Sequence, residues 1–273
     1  VIRIKYYPVI AGIIATWRQE MKLKVDALSF AYDDTQILFD VNLEMNQGEV
    51  TGIVGPNGSG KTTLIRCINR ILTPKQGLVM LDERDVSTMN RNEMAQKMSL
   101  VPQDNSRDPC SPTVYEVVLM GRRPYISWNF GEKDRELTWA AMKEMAVDDL
   151  AMRPFDRLSS GQAQRVLIAR SIAQEAKVLL LDEPTSNLDV RYQLEVLKTI
   201  SETVRRRQIC ACIIIHDLDL AMHFCNRTVM LRNGRVVANG LTAEVLTAEN
   251  IEQTYGIKCV ICHEYGRARI LID

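Results

Sequence analysis

The stretch GPNGSGKTT, Gly55 to Thr63, constrains this chain more than any other. It fits G-x-x-x-x-G-K-[ST], and it has the context that pattern needs. EVTGIVG before it reads as a strand, and KTTLIRCINRIL, Lys61 to Leu72, has helical apolar spacing after it. Gly55, Gly58 and Gly60, with Pro56, Asn57 and Ser59 between them, let successive backbone N–H groups turn toward phosphate oxygens without a Cβ in the way. Lys61 supplies a mobile positive charge for β and γ phosphates. The Thr62 hydroxyl is placed to ligate Mg²⁺, and Thr63 closes the run expected to bind the nucleotide.

A second helix start has the same taste for anions. LSSGQAQR, Leu158 to Arg165, sets small residues and a glycine ahead of a helical run, where unpaired N–H groups and the helix dipole favour negative charge. It carries no cradle lysine. Between the two lie MSLVPQ, read as a strand, and a mainly helical stretch punctuated at Pro109, Pro112, Gly121, Pro124 and Gly131. VLLLDEP follows as an apolar run suited to a parallel strand buried on both faces. Its end carries Asp182 and Glu183. Side chains alternate along a strand, so Asp182 can face a metal while Glu183 faces an attacking water as general base.

Elsewhere KLKVDALSFAY and VNLEM read as strands joined by a turn. A helix over Val190 to Arg206 leads to the buried strand CACIII, whose Cys210 and Cys212 share one face as core residues. Asp217 caps the next helix, and TVMLRNGRVVANG is a hairpin turning at Asn233-Gly234. Arg205 to Arg207 read as a solvated helix end.

Composition narrows the classes. Lys plus Arg and Asp plus Glu number 34 each, so no general basic field points to nucleic acid. No run approaches the eighteen or so apolar residues that span a bilayer; VIAGIIA, Val9 to Ala15, is too short and lacks a small-residue cleavage site after it. Seven scattered cysteines argue against a disulfide framework. CVICH, Cys259 to His263, has the haem-attachment spacing; the reading adopted is a short strand with apolar cysteines, haem attachment being the alternative.

Taken together, GPNGSGKTT, Gln103 of VPQ, LSSGQ, LLLDEP, SNLD ending at Asp189 and IIIHD with His216 resemble, in order, the nucleotide-binding subunit of ABC transporters. The resemblance covers Lys22 to about Gly240. It implies an α/β fold: a P-loop NTPase cassette with a mainly parallel RecA-like core sheet, an antiparallel β subdomain and an inserted helical subdomain. Expected divisions are an N-terminal extension at 1–20, an ATPase domain at 21–244 with its helical insertion at about 104–156, and a helix–strand tail at 245–273.

The resemblance also implies roles. Tyr32 stacks on adenine. Lys61, Gln103, Glu183 and His216 serve ATP hydrolysis, and Thr62, Gln103 and Asp182 hold Mg²⁺. Ser159, Ser160, Gly161 and Gln162 cap the γ-phosphate of ATP bound to a second copy of the chain, packed head to tail, and Asp189 couples the two sites. Ser160 stands where the family more often has glycine.

TVYEVVLMGRRPYISWNFGEKDRE, with VVLMGRRPY its most telling part, and the tail LTAEVLTAENIEQTYGIKCVIC resemble importers of iron–siderophore, haem and cobalamin cargo. That implies transmembrane permease subunits, an extracytoplasmic substrate-binding protein beyond them and a place at the cytoplasmic face of the membrane. Arg122, Arg123 and Tyr125 are candidates for the groove that meets the permease. The alternatives are a zinc, manganese or other metal-ion importer, or a soluble non-transport ATPase of the same family.

Overall fold

The structure is a computed structural model describing residues 22–103, 112–126, 128–186, 188–264 and 267–272. The expectations for residues 1–20 and for 104–111 of the insertion fall outside these.

Strand β1 (Lys22–Tyr32) turns at Asp33-Asp34 directly into β2 (Thr35–Asn46), so β2 begins earlier than VNLEM suggests. β3 (Val50–Val54) runs into the glycine loop, and α1 (Lys61–Ile68) leaves it. The apolar spacing that predicts a helix to Leu72 overshoots. Arg70 has a left-handed φ of 55°, and its guanidinium donates to the Val86 and Met89 carbonyls instead of continuing a helix face. β4 (Gln76–Leu81) and the short β5 (Arg84–Asp85) complete an antiparallel sheet in the order β2-β1-β4-β5.

After α2 (Arg91–Lys97) and β6 (Met98–Val101) comes the helical region. It comprises α3 (Val114–Leu119), a 3₁₀ segment Met120–Tyr125, and α4 (Glu132–Glu144). Then come α5 (Ser160–Ala173), β7 (Val178–Leu181), α6 (Val190–Arg207), β8 (Cys210–Ile214) and α7 (Leu218–Phe224). The expected hairpin is β9 (Arg227–Arg232) and β10 (Arg235–Leu241), turning at Asn233 and Gly234, both at positive φ. The tail is α8 (Thr242–Val245), α9 (Ala248–Tyr255) and a ribbon of β11 (Cys259–Glu264) and β12 (Arg267–Ile272).

The second sheet runs β10-β9-β3-β8-β7-β6, with β9, β3, β8, β7 and β6 parallel and β10 antiparallel at the edge. Its alternating side chains divide two cores. Val50, Leu179, Leu181, Ala211 and Ile213 join α3, α4, α5 and α6 on one face. Ile53, Val178, Leu180, Cys210, Cys212 and Ile214 join α1 and the antiparallel sheet on the other. Each fully buried Val, Leu or Ile contributes roughly 1.5–3 kcal/mol. Cys210 and Cys212 are core residues as expected, with burial pushing the Cys210 thiol up to about 12. Cys259 and Cys262 sit three apart on a strand, which sends their thiols to opposite faces, against a shared haem linkage.

Two basic readings need correction. Arg122 is buried. Its Nε donates to Asp134 at 3.0 Å, and its Nη1 donates to the Ala173 carbonyl at 2.7 Å and to Glu175 at 2.9 Å, with the Tyr125 ring 4.2 Å away. It ties the helical region to the end of α5, leaving Arg123 and Tyr125 exposed. Arg206 and Arg207 are not simply solvated; both pair with Glu144 of α4.

Candidate functional site

The loop after β3 is shaped by contacts that only glycine permits. A Cβ on Gly55, at φ 151°, would stand 2.0 Å from the Leu231 carbonyl oxygen. A Cβ on Gly60, at φ 100°, would come 2.8 Å from a Leu38 methyl, while one on Gly58 would meet open space. The Gly234 N–H donates to the Ser59 carbonyl at 3.0 Å, and the Phe39 N–H donates to the Gly234 carbonyl at 2.9 Å. The loop is thus propped from behind by β2 and the β9–β10 turn, a support that sequence reading missed. Asn-Gly signals a turn but not what the turn touches.

Lys61 opens α1 and is buried. Its Nζ donates to the carbonyls of Gly55 and Pro56, both at 2.9 Å. Burial lowers its pKa, opposed by the nearby carboxylates of Glu183 and Asp182. The Thr62 hydroxyl donates to Asp182 Oδ1 at 3.1 Å, joining the first turn of α1 to the chain just past β7. Burial raises the Asp182 pKa, partly offset by the Thr62 hydrogen bond.

Glu183 is the hub of the far wall. Gln103 Nε2 donates to Glu183 Oε2 at 2.6 Å, and His216 Nε2 pairs with Glu183 Oε1 at 2.6 Å. A carboxylate only accepts, so that ring nitrogen carries the proton. The two acids do diverge, but for a different reason than strand alternation. β7 ends at Leu181, and Glu183 has left-handed φ of 51°, held by a turn in which Ser186 N–H and Oγ both donate to its carbonyl.

One cleft of about 630 Å³ is walled by Tyr32, Ile37, Asn57, Gly58, Gly60, Lys61, Thr62, Thr63, Gln103, Glu183 and His216; Asp182, Gly55, Pro56 and Ser59 are not on its wall. Tyr32 stands at its rim with its ring edge-on to Phe30 at 4.8 Å. Ile37 is a wall residue that the sequence did not flag, being one alternating strand position among many.

Ser159, Ser160, Gly161 and Gln162 are absent from that lining. They form the start of α5, where Ser159 and Gln162 make a reciprocal capping box, and the Ser159 and Ser160 side chains are exposed. Asp189 caps α6 by accepting from the Tyr192 N–H at 3.1 Å. The first turn of α6 lies over Gly161, with Tyr192 and Leu188 within 4 Å of where a Cβ would be. Asp189 and the second helix start are therefore neighbours, both away from the cleft of their own chain. Among the described residues no helix is long and apolar enough to cross a membrane.

Comparison with known proteins gives a consistent answer. Residues 38–186 match the family model described as ABC transporter. The chain is 41% identical over 241 residues to an uncharacterized ABC transporter ATP-binding protein of Methanocaldococcus jannaschii, covering 88% of this chain and 94% of that one. It is 36% identical over 242 residues to the ferric enterobactin transport ATP-binding protein of Escherichia coli, covering 88% and 89%. It is 37% identical over 241 residues to a cobalamin import ATP-binding protein of Halobacterium salinarum, covering 88% and 60%. Among solved structures, a metal-chelate type ABC transporter in an inward-facing conformation superposes with TM-score 0.81 at 28% identity, over 93% of this chain and 97% of the other.

Proposed function

We propose that this chain, which belongs to the ABC transporter family of ATP-binding proteins, works as the ATP-hydrolysing subunit of an importer for ferric-siderophore or cobalamin-type chelates. The cargo reading is supported by the enterobactin and cobalamin relatives and by the metal-chelate transporter that the fold resembles. The expected partners are a second copy, permease subunits and, indirectly, an extracytoplasmic binding protein, with the chain peripheral at the cytoplasmic face.

In this reading adenine lies on Tyr32 and the phosphates lie on the N–H groups of the 55–63 loop, with Lys61 beside them. Glu183 takes the proton from water attacking the γ-phosphorus in line, giving ADP and phosphate. General-base assistance of this kind is worth about 10²–10⁴-fold. Both Glu183 oxygens are engaged, one by Gln103 and one by His216. Turnover therefore requires these two to swing from Glu183 toward the γ-phosphate and water, which frees the base only when ATP is in place. Thr62, Asp182 and the Gln103 amide oxygen are hard oxygen donors of the kind Mg²⁺ takes, and the burial that burdens the Asp182 carboxylate fits a cation beside it. Bound there, Mg²⁺ supplies charge neutralisation to the phosphates.

The observation that carries the reading is the separation of Ser159–Gln162 from the cleft of their own chain. A helix start suited to phosphate but standing outside the local site is complete only when a second copy brings its own nucleotide to it. The test is ATP hydrolysis against protein concentration, with Ser160→Arg alongside. Specific activity should rise as dimers form, and the variant should bind ATP yet neither dimerise nor hydrolyse it. Full activity in a dilute monomer, or undiminished turnover by Ser160→Arg, overturns the proposal.

A further inference from the structure

Helix α5 presents the Ser159 and Ser160 side chains to solvent at its start, while its far end is fastened on two sides. On one side the Gln174 amide donates to the carbonyl of Ala95 and, at 2.9 Å, to that of Met98. Met98 opens β6, the strand that leads to Gln103 in the cleft. On the other side Arg122 donates to the Ala173 carbonyl and to Glu175, and through Asp134 it reaches the first turn of α4. The segment bearing Arg122 lies close against the last turn of α5: a Cβ on Gly121 would stand 2.2 Å from the Arg170 carbonyl oxygen. Gln96, near the end of α2, donates in turn to the Pro124 carbonyl at 2.9 Å. The end of α5, the start of β6 and the 120–125 segment therefore form one hydrogen-bonded joint.

We infer that Arg122 and Gln174 are positioning residues for the Ser159–Gln162 helix start, acting along α5 from its opposite end. The inference rests on the reading in which that start serves nucleotide held by a second copy. Apolar packing against α3 and α4 holds the flank of α5. Such contact is non-directional and fixes the tilt of a helix less sharply than hydrogen bonds of set geometry do. With 14 residues, α5 is about 20 Å long, so a tilt of about 6° at the joint carries its start by about 2 Å. A misplacement of about 1 Å far from the chemistry can already cost on the order of 10²-fold in rate. The joint also refers α5 to the strand that delivers Gln103, so the outward-facing helix start and the chain's own cleft share one frame. Neither Arg122 nor Gln174 lines that cleft, so loosening the joint should spare nucleotide binding while disturbing the corner offered to the second copy.

Full-length wild type, Arg122→Lys and Gln174→Leu are compared at a temperature where circular dichroism shows each of them folded. Lysine keeps the charge, but its single nitrogen cannot span the groups that Nε and Nη1 of arginine reach. Leucine keeps the bulk and removes the amide. Titration with an N-methylanthraniloyl derivative of ATP should give both variants the wild-type stoichiometry, with affinity within about two-fold of wild type. Phosphate release should fall roughly 10–100-fold in kcat with KM for ATP little changed, and the protein concentration giving half-maximal activity should rise. Wild-type kcat and half-maximal concentration in either variant overturns the inference. So does a loss of ATP affinity or stoichiometry in step with activity, the mark of a general loosening that reaches the cradle. A wild type whose specific activity is independent of protein concentration would instead sink the two-copy reading itself.

Discussion

Replacing Arg122 by alanine tests how the helical region is fastened. The side chain is 3% exposed and makes charge-assisted bonds to Asp134 and Glu175 as well as one to the Ala173 carbonyl. Removing one partner of a fully buried ion pair costs about 3–5 kcal/mol. Two discounts apply. The Glu175 side chain is 39% exposed, so its share is screened to about 0–1 kcal/mol. Asp134 keeps a hydrogen bond from the Gly131 N–H at 2.9 Å. A loss of about 3 kcal/mol remains, or roughly 6–12 °C in Tm for a chain of this size. Circular dichroism melting measures it. The pH profile adds a sign. Burial alone would raise the Asp134 pKa, but hydrogen bonds from Arg122 and Gly131 outweigh it and hold the carboxyl below its ordinary range. The ion pair's contribution is then complete above the ordinary aspartate pKa and fades as pH falls through the depressed one. The gap between wild type and Arg122→Ala should narrow in acid. A Tm drop under about 2 °C at neutral pH would refute the reasoning and return Arg122 to the surface.

Glu183→Gln should bind ATP and accumulate as a dimer while phosphate release falls about 10²–10⁴-fold; size exclusion with ATP and a phosphate assay decide it, and normal turnover by a monomer would count against it. Asp182→Asn should abolish Mg²⁺-dependent hydrolysis yet raise the melting temperature of the protein without nucleotide. Burial raises the Asp182 pKa, so its penalty is present above the folded-state value and lifts as pH falls; the variant should flatten that part of the Tm profile. Gly55→Ala should lose ATP binding outright, since its methyl would meet the Leu231 carbonyl at 2.0 Å; wild-type affinity by titration would contradict the propped-loop account.

Much of this site is written in short stretches, which is why sequence alone finds it. The cradle is nine consecutive residues, and Asp182 and Glu183 follow an apolar run of the kind expected for an inner strand, which β7 is. Local caps were equally readable: Asp217 accepts from the Leu220 N–H as its position implies. What failed was non-local. Arg122 meets Glu175, 53 residues on, and Arg206 meets Glu144; no window along the chain contains both partners of either pair, and Asp134, twelve residues from Arg122, carries no signal that marks it as the partner. The apolar pattern past Ile68 continued on paper, but Arg70 found carbonyls in another segment and left the helix. The turn of Glu183 out of the strand direction depends on Ser186 closing beneath it, a backbone event with no apolar signature.

The central sheet works as a party wall whose bricks show alternate faces to different rooms. Leu179 and Leu181 look into the room of helices, and Leu180 between them looks into the room that backs the glycine loop and α1. Neighbours in the polypeptide are thus tenants of different halves of the machine. A lineage could refit the helical half while leaving the cradle side untouched, one alternate strand position at a time.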